Sequence, residues 1–435
     1  MLKLKNWAMV MGLILSVNSA KAVANIPDTA PRVVATYYPE WAVYMRQYPV
    51  ERIPFDKITH LMYAFLPICG PNESLKVLNP NGHALLLQEC LNKKDYEVTI
   101  HDTWAALGST HNNYGKLLQQ KQKHPHLKVL ISIGGWSLSD PFHYLVKSQA
   151  SRAVFINSVV RFLEQYPIFD GADLDWEYPA GGGANSSLGS EDEGENFIAL
   201  VQEMRAALDK AGAEKQKHYL LTAAVGSAPA KISKVPYEKL YTNPQRPGLD
   251  LIFAMTYDYY GAWDGIRGHT AGLFPAANPV LPGFNGHESI QNLIQAGVPR
   301  ERLVLGVSMY GRAWQDIQAE AGSPLSASKT DNLASAWALE QGMWEPGVMD
   351  YKFIQSRYRN HPEFTFIFDQ KAKAPYLWSA TRKKLISYDN SCSTSYKHKY
   401  VKENGLAGIF GWEIDSDNGD LLNAMLGQPP VEECP

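Results

Sequence analysis

Three carboxylates stand at every second position of one short run: Asp173, Asp175 and Glu177, separated by Leu174 and Trp176. Alternate side chains of a strand share a face, so the three acids point one way and the leucine and tryptophan the other. Like charges crowded away from water cannot all ionise, and at least one pKa must rise. A carboxylic acid that keeps its proton near neutrality is what a general acid needs. Glu177, nearest the C-terminal end of the run, is the candidate acid. Asp175 is placed to share or tune its proton, and Asp173 to support both from deeper in the fold.

Similar combinations recur at the ends of other apolar runs. "SIGGW" puts Gly134, Gly135 and Trp136 together, "MTYDYYG" supplies Met255, Tyr257 and Asp258, "MYGRAW" supplies Tyr310, Arg312 and Trp314, and "GWEIDSD" supplies Trp412. A lone tryptophan is ordinary core material. Aromatic rings beside polar groups at four separate strand ends suit a sugar, whose apolar faces stack on rings. Glu413 follows Trp412 and is expected to face away from it. Asp258 is the one rival for a nucleophilic carboxylate, because no second acid stands opposite Glu177 at the roughly 5 Å a double-displacement glycosidase requires.

Eight segments rich in β-branched and aromatic residues carry these groups: 33–38, 58–66, 128–135, 171–177, 219–226, 251–258, 303–311 and 407–415. Helix-period stretches such as 151–166 and 195–212 lie between most of them. Strand and helix alternating eight times predicts an α/β protein, a TIM (β/α)8 barrel, whose chemistry gathers at the C-terminal ends of its strands. An open doubly wound sheet would place a glycine-rich turn after its first strand, and "TYYPEW" is none. Two connections are long. The chain between 66 and 128 reads as an elaborated loop, and residues 313–390, with "FTFIFDQKAKAPYLWS" and "KKLISYDN", read as a small α+β insertion between strands seven and eight. The segment 180–196 reads as a flexible loop at the rim of a cleft.

These motifs carry a resemblance. "DGADLDWEYP" resembles, at every fixed position, the signature of the family 18 glycoside hydrolases, the chitinases. "SIGGW", "AMTYDYYG", "MYGRAW" and the strand-eight tryptophan follow in the family's order, over roughly residues 32 to 425. The resemblance implies that Glu177 protonates the glycosidic oxygen and that the substrate's own 2-acetamido carbonyl is the nucleophile, an exception to the two-carboxylate scheme. By the same resemblance Asp175 orients the acetamido group, Asp173 supports Asp175, and Tyr257 hydrogen-bonds the acetamido carbonyl. Met255 and Asp258 line the pocket and Trp412 forms its floor. Tyr37, Trp41, Phe65, Trp136, Tyr310 and Arg312 occupy positions that contact substrate. The partners implied are chitin and N-acetylglucosamine oligomers. The alternatives are a non-catalytic chitin- or glycan-binding lectin of the same fold, and an endo-β-N-acetylglucosaminidase acting on N-glycans.

Composition fits these expectations. The 435 residues are 45% apolar and 20% charged, enough for a large core, and the net charge of −3 gives no reason to expect nucleic acid or a membrane surface as partner. "MLKLKNWAMVMGLILSVNSAKA" has a positive start, an apolar run shorter than the roughly 20 residues of a membrane span, and a small-x-small site. It reads as an export signal over residues 1–22, ahead of a catalytic domain at 27–428 in a secreted, monomeric protein. The four cysteines have no metal-ligand spacing, and no cofactor or metal is expected. Cys69 with Cys90 and Cys392 with Cys434 is the economical pairing in an oxidising compartment.

Overall fold

The computed structural model describes residues 30–263, 266–317, 324–325, 335–340 and 343–434; the expected export signal lies outside them. Eight parallel strands close into a barrel: β1 Val33–Pro39, β2 His60–Leu66, β3 Lys128–Gly134, β4 Gly171–Asp175, β5 Leu220–Gly226, β6 Leu251–Met255, β7 Leu303–Ser308 and β8 Gly408–Trp412. Each pairs with its neighbours in sequence, and β8 closes the ring on β1 with Gly408 opposite Val33. The predicted barrel is therefore the observed one.

Alternation along the strands sorts the side chains into two layers. Val33, Ala35 and Tyr37 of β1, Phe253 of β6, Val304 of β7 and Phe410 of β8 fill the barrel. Val34, Leu61, Ile131, Leu174 and Leu305 face outward into the larger core under the helices. On β4 the outward set is Ala172, Leu174 and Trp176, which leaves Asp173 and Asp175 inside. The outer ring includes the long helices Gln149–Gln165 and Glu193–Ala213. The first is capped by Ser148, whose side chain accepts from the Ser151 N–H, and the second opens on two glutamates.

Strand seven is shorter than the run 303–311 suggested. β7 stops at Ser308, and after Met309 the strand Tyr310–Gln315 enters a separate antiparallel sheet. Tyr310, Arg312 and Trp314 thus belong to the inserted sheet and not to the barrel. That sheet runs, in spatial order, Met343–Glu345, Val348–Asp350, Tyr310–Gln315, Lys384–Tyr388, Ala374–Ser379 and Thr365–Asp369, with Ser335–Ala336 also pairing Tyr310–Gln315. Trp314, counted among the strand-end aromatics suited to a sugar, is fully buried in this unit's core with Tyr259, Ile317 and Leu385.

The long connection after β2 is helical, with Glu73–Leu78, Pro80–Glu89, Thr103–Leu107 and Asn113–Lys123. Disulfides join Cys69 to Cys90 and Cys392 to Cys434, the pairing expected. Among the described residues no helix is long and apolar enough to cross a membrane.

Candidate active site

Strand register places the deepest acid among hydroxyls. Asp173 lies opposite Ser132 of β3 and Thr222 of β5. It accepts from Ser132 Oγ at 2.8 Å, Thr222 Oγ1 at 2.6 Å and Tyr37 Oη at 2.9 Å. Burial raises its pKa, and these three donors oppose the rise by stabilising the carboxylate. Tyr37, expected to touch substrate, is 2% exposed and spends its hydroxyl on Asp173.

Asp175 has the opposite environment. It is buried, and its Oδ1 has no hydrogen-bond partner among the described residues. Burial, then the charges of Glu177 and Asp173, push its pKa well above the usual carboxylate range. The carboxyl group of Glu177, two residues on, is pushed up to about 7 by burial, with Asp258 adding to the rise. Tyr178 and Lys231 work against it. The charge of Glu177 is thus part of what keeps a proton on Asp175, and the two acids on this face disfavour full ionisation of each other.

The backbone around these acids is held by close approach. Gly134 and Gly135 have φ of +109° and +90°. A Cβ on Gly134 would fall 2.2 Å from the Asp175 carbonyl oxygen, and one on Gly135 would fall 2.7 Å from the Phe65 ring. Only glycine fits either place. Ser139 completes the turn: its Oγ accepts the Glu177 N–H at 2.9 Å and lies 2.9 Å from the Gly135 carbonyl.

Aromatic rings line the barrel mouth. Trp412 at the end of β8 stacks on Phe65 with ring centres 5.4 Å apart, and Tyr37 meets it edge-on, also at 5.4 Å. Trp41 tilts against Phe65, and Trp41 and Trp136 remain 40% and 49% exposed. Tyr257 sits edge-on to Tyr310 at 6.4 Å, and both Tyr257 and Met255 pack, partly buried, against the residues that fill the barrel. Asp258 receives two hydrogen bonds of 2.7 Å from Arg312. The structure therefore gathers Asp173, Asp175, Glu177, Tyr257, Met255, Phe65, Trp412, Asp258, Tyr310 and Arg312 at one end of the barrel, with Trp41 and Trp136 open to solvent.

Glu413 departs from expectation in its partner. Pointing away from Trp412 was expected to turn it toward a helix; instead it is buried in an ion pair with Arg46 of the loop after β1, which also bonds Asp415 at 2.8 Å. Arg46 in turn lies over the Trp344 ring. The segment 180–196 is also less free than its composition suggested. Lys231 donates to the carbonyls of Gly181 and Gly182 at 2.6 and 3.1 Å and covers the Tyr178 ring. Sequence reasoning missed Lys231 because a lysine in "APAKISK" has nothing to mark it. Trp263, exposed beneath the Arg312 guanidinium, was missed as well, although it follows directly on "TYDYYGA". Among the described residues no group of His, Cys, Asp and Glu could hold a metal ion.

Comparison with known proteins identifies the family of the chain. Residues 33–417 match the model of "Glycosyl hydrolases family 18". The chain is 39% identical over 442 residues to Chitinase A of Pseudoalteromonas piscicida, covering 93% of this chain and 53% of that protein. It is 39% identical over 410 residues to a probable endochitinase of Orgyia pseudotsugata multicapsid polyhedrosis virus, covering 91% and 72%. The chain thus spans about half the length of the first of these relatives. Among solved structures it resembles chitinase ChiA74 from Bacillus thuringiensis, with TM-score 0.77, 33% identity, and 92% and 70% of the two chains covered.

Proposed function

The chain belongs to the family 18 glycosyl hydrolases, and from that premise we propose that it is a chitinase, hydrolysing the β-1,4 bonds between N-acetylglucosamine units with net retention. One observation carries the reading: a buried carboxylate oxygen without a donor, Asp175 Oδ1, two residues from an acid, Glu177, whose pKa burial pushes up to about 7. An acetamido N–H is the donor that oxygen lacks. With that bond formed, the acetamido carbonyl oxygen is held under the anomeric carbon.

Glu177 then delivers its proton to the glycosidic oxygen as the C–O bond breaks, and the acetamido oxygen closes on the anomeric carbon to form a cyclic oxazolinium. One negative charge carried by the Asp173–Asp175 pair offsets its positive charge, and Tyr257 donates to the acetamido group. Water, deprotonated by Glu177, opens the ring from the face the leaving group vacated, which returns the original configuration. Trp412 and Phe65 form the stacking floor, and Trp41 and Trp136 extend it along the cleft. The protein acts as an exported monomer on chitin and its soluble oligomers, with no cofactor.

The test is release of chromophore from an aryl chitotrioside by the wild type and by Glu177→Gln at equal folded concentration. A loss of roughly a thousandfold or more is expected for removal of a general acid. Oligomer binding without turnover by the wild type would mean a lectin, and release of N-glycans from a glycoprotein in preference to chitin oligomers would mean an endo-β-N-acetylglucosaminidase.

A further inference from the structure

Behind β4, on the side away from the cleft, lies a chain of buried polar groups that the mechanism does not use. His143 and Glu193 are 5% and 2% exposed. His143 Nδ1 lies 2.9 and 3.0 Å from the two carboxylate oxygens of Glu193, and its Nε2 lies 3.5 Å from the indole nitrogen of Trp176. The partners assign the tautomer. A carboxylate only accepts, so Nδ1 carries the proton, and an indole N–H only donates, so Nε2 receives it. Glu193 also reaches the chain beyond the acid, where its Oε2 accepts the backbone N–H of Ala180 at 2.9 Å. Ala180 has φ of +66°, a left-handed turn that a non-glycine residue adopts only when its surroundings hold it there.

The placement of these contacts along the chain is the telling point. Trp176 precedes the acid by one residue, and Ala180 follows it by three. The Trp176 ring is further fixed by stacking on Phe142 at 5.5 Å, one residue before His143. Ser139, just ahead of the same short helix Asp140–Leu145, receives the Glu177 N–H. A plain apolar core would anchor the tryptophan without burying an imidazole and a carboxylate, which is costly unless both are satisfied.

We infer that Glu193 and His143 are positioning residues that clasp the chain on both sides of Glu177 and hold its carboxyl group at the glycosidic oxygen. The inference rests on the reading of Glu177 as the general acid. A carboxyl group displaced by about 1 Å loses roughly a hundredfold in rate, so even partial loosening is visible in turnover. Loosening also admits water to Glu177, whose facing groups are Asp175 of β4, the adjoining Tyr178, Lys231 after β5, and Tyr257 and Asp258 after β6. None of these is altered by a change at 143 or 193.

The experiment compares His143→Phe, Glu193→Ala and Glu193→Gln with Glu177→Gln on an aryl chitotrioside, each well below its melting temperature. Arg205→Met serves as a destabilised control, because Arg205 bonds the Tyr219 carbonyl and Asp209 at the opposite end of the barrel. The expected result for His143→Phe and Glu193→Ala is a kcat lower by roughly ten- to a hundredfold with little change in KM. Their alkaline limb should also move to lower pH by about half a unit or more as Glu177 is rehydrated. Glu193→Gln, whose amide oxygen can still accept from Ala180 and His143 but whose NH2 replaces the second acceptor beside Nδ1, should recover part of the rate lost in Glu193→Ala. Clasp variants that lose only melting temperature, as Arg205→Met does, would overturn the inference while Glu177→Gln remained inactive. Retained turnover in Glu177→Gln would instead overturn the proposed function.

Discussion

Arg312 of the inserted sheet grips Asp258, three residues past the end of β6, with two hydrogen bonds of 2.7 Å, and this forked pair ties the sheet to the barrel. Asp258 holds a left-handed backbone at φ +55°, and Arg312 also lies over the rings of Trp263 and Tyr310. A planar guanidinium satisfies this geometry and an ammonium does not. Arg312→Lys should therefore raise KM for chitin oligomers by roughly tenfold, the loss of about one charged hydrogen bond, while kcat changes less. Steady-state kinetics on a soluble oligomer separates the two parameters, and an unchanged KM would show that the fork is not needed to shape the pocket.

The pH profile follows from the acid pair. The proposed mechanism requires Glu177 protonated, and its carboxyl group is pushed up to about 7 by burial, so the rate should decline as pH rises through that value. At the other end, the same proposal requires the Asp173–Asp175 pair to keep a charge to balance the cyclic cation. Both pKa values are raised, mainly by burial, so the acid limb should lie above the ordinary aspartate range. A bell between these limits is expected in kcat/KM, and a flat response between about pH 4 and 9 would contradict the account.

Stability and activity pull in opposite directions at Asp175. Its folded pKa is raised, so the folded state binds the proton more tightly than the unfolded chain does. That contribution is complete below the unfolded value of about 4 and is lost as pH climbs toward the folded value. Asp175→Asn should therefore melt at a higher temperature than the wild type at pH 8, with the difference shrinking in acid, while turnover falls by about a hundredfold. Calorimetry at the two pH values checks the first part. A lower melting temperature at pH 8 would mean that the buried carboxylate is better compensated than its bare Oδ1 indicates.

Gly134→Ala should be damaging far out of proportion to one methyl group. The new Cβ would meet the Asp175 carbonyl and the Phe142 ring, in a backbone at φ +109°. Overpacking and backbone strain together cost about 2–6 kcal/mol. Urea denaturation should show this loss, and a surviving folded fraction should have reduced kcat because the strand carrying both acids is displaced.

Much of this was legible in the sequence because the barrel repeats one simple pattern. Apolar β-branched runs marked all eight strands, and alternation alone turned Asp173 and Asp175 inward and Trp176 outward. What escaped notice has physical reasons. "LVLGVSMYGRAW" is apolar throughout most of its length, so nothing announced that one sheet ends at Ser308 and another begins at Tyr310. The run contains no proline, and the turn is made at a buried methionine. Lys231, His143 and Glu193 meet the acid strand only through tertiary contacts, and single polar residues separated by tens of positions leave no periodic trace. Glu413 was read by strict alternation past the end of β8, where the extended pattern that licenses it no longer runs.

The junction at Met309 has a mechanical consequence. Its N–H is bonded to the Trp412 carbonyl at 2.8 Å, its own carbonyl receives the Tyr351 N–H at 3.0 Å, and its side chain is fully buried. The inserted sheet is thus rooted in the barrel frame like a cantilever, with its fixed end beside the pocket floor. A wall mounted in this way resists swinging relative to the barrel, because such a motion would break both backbone bonds and uncover the buried methionine.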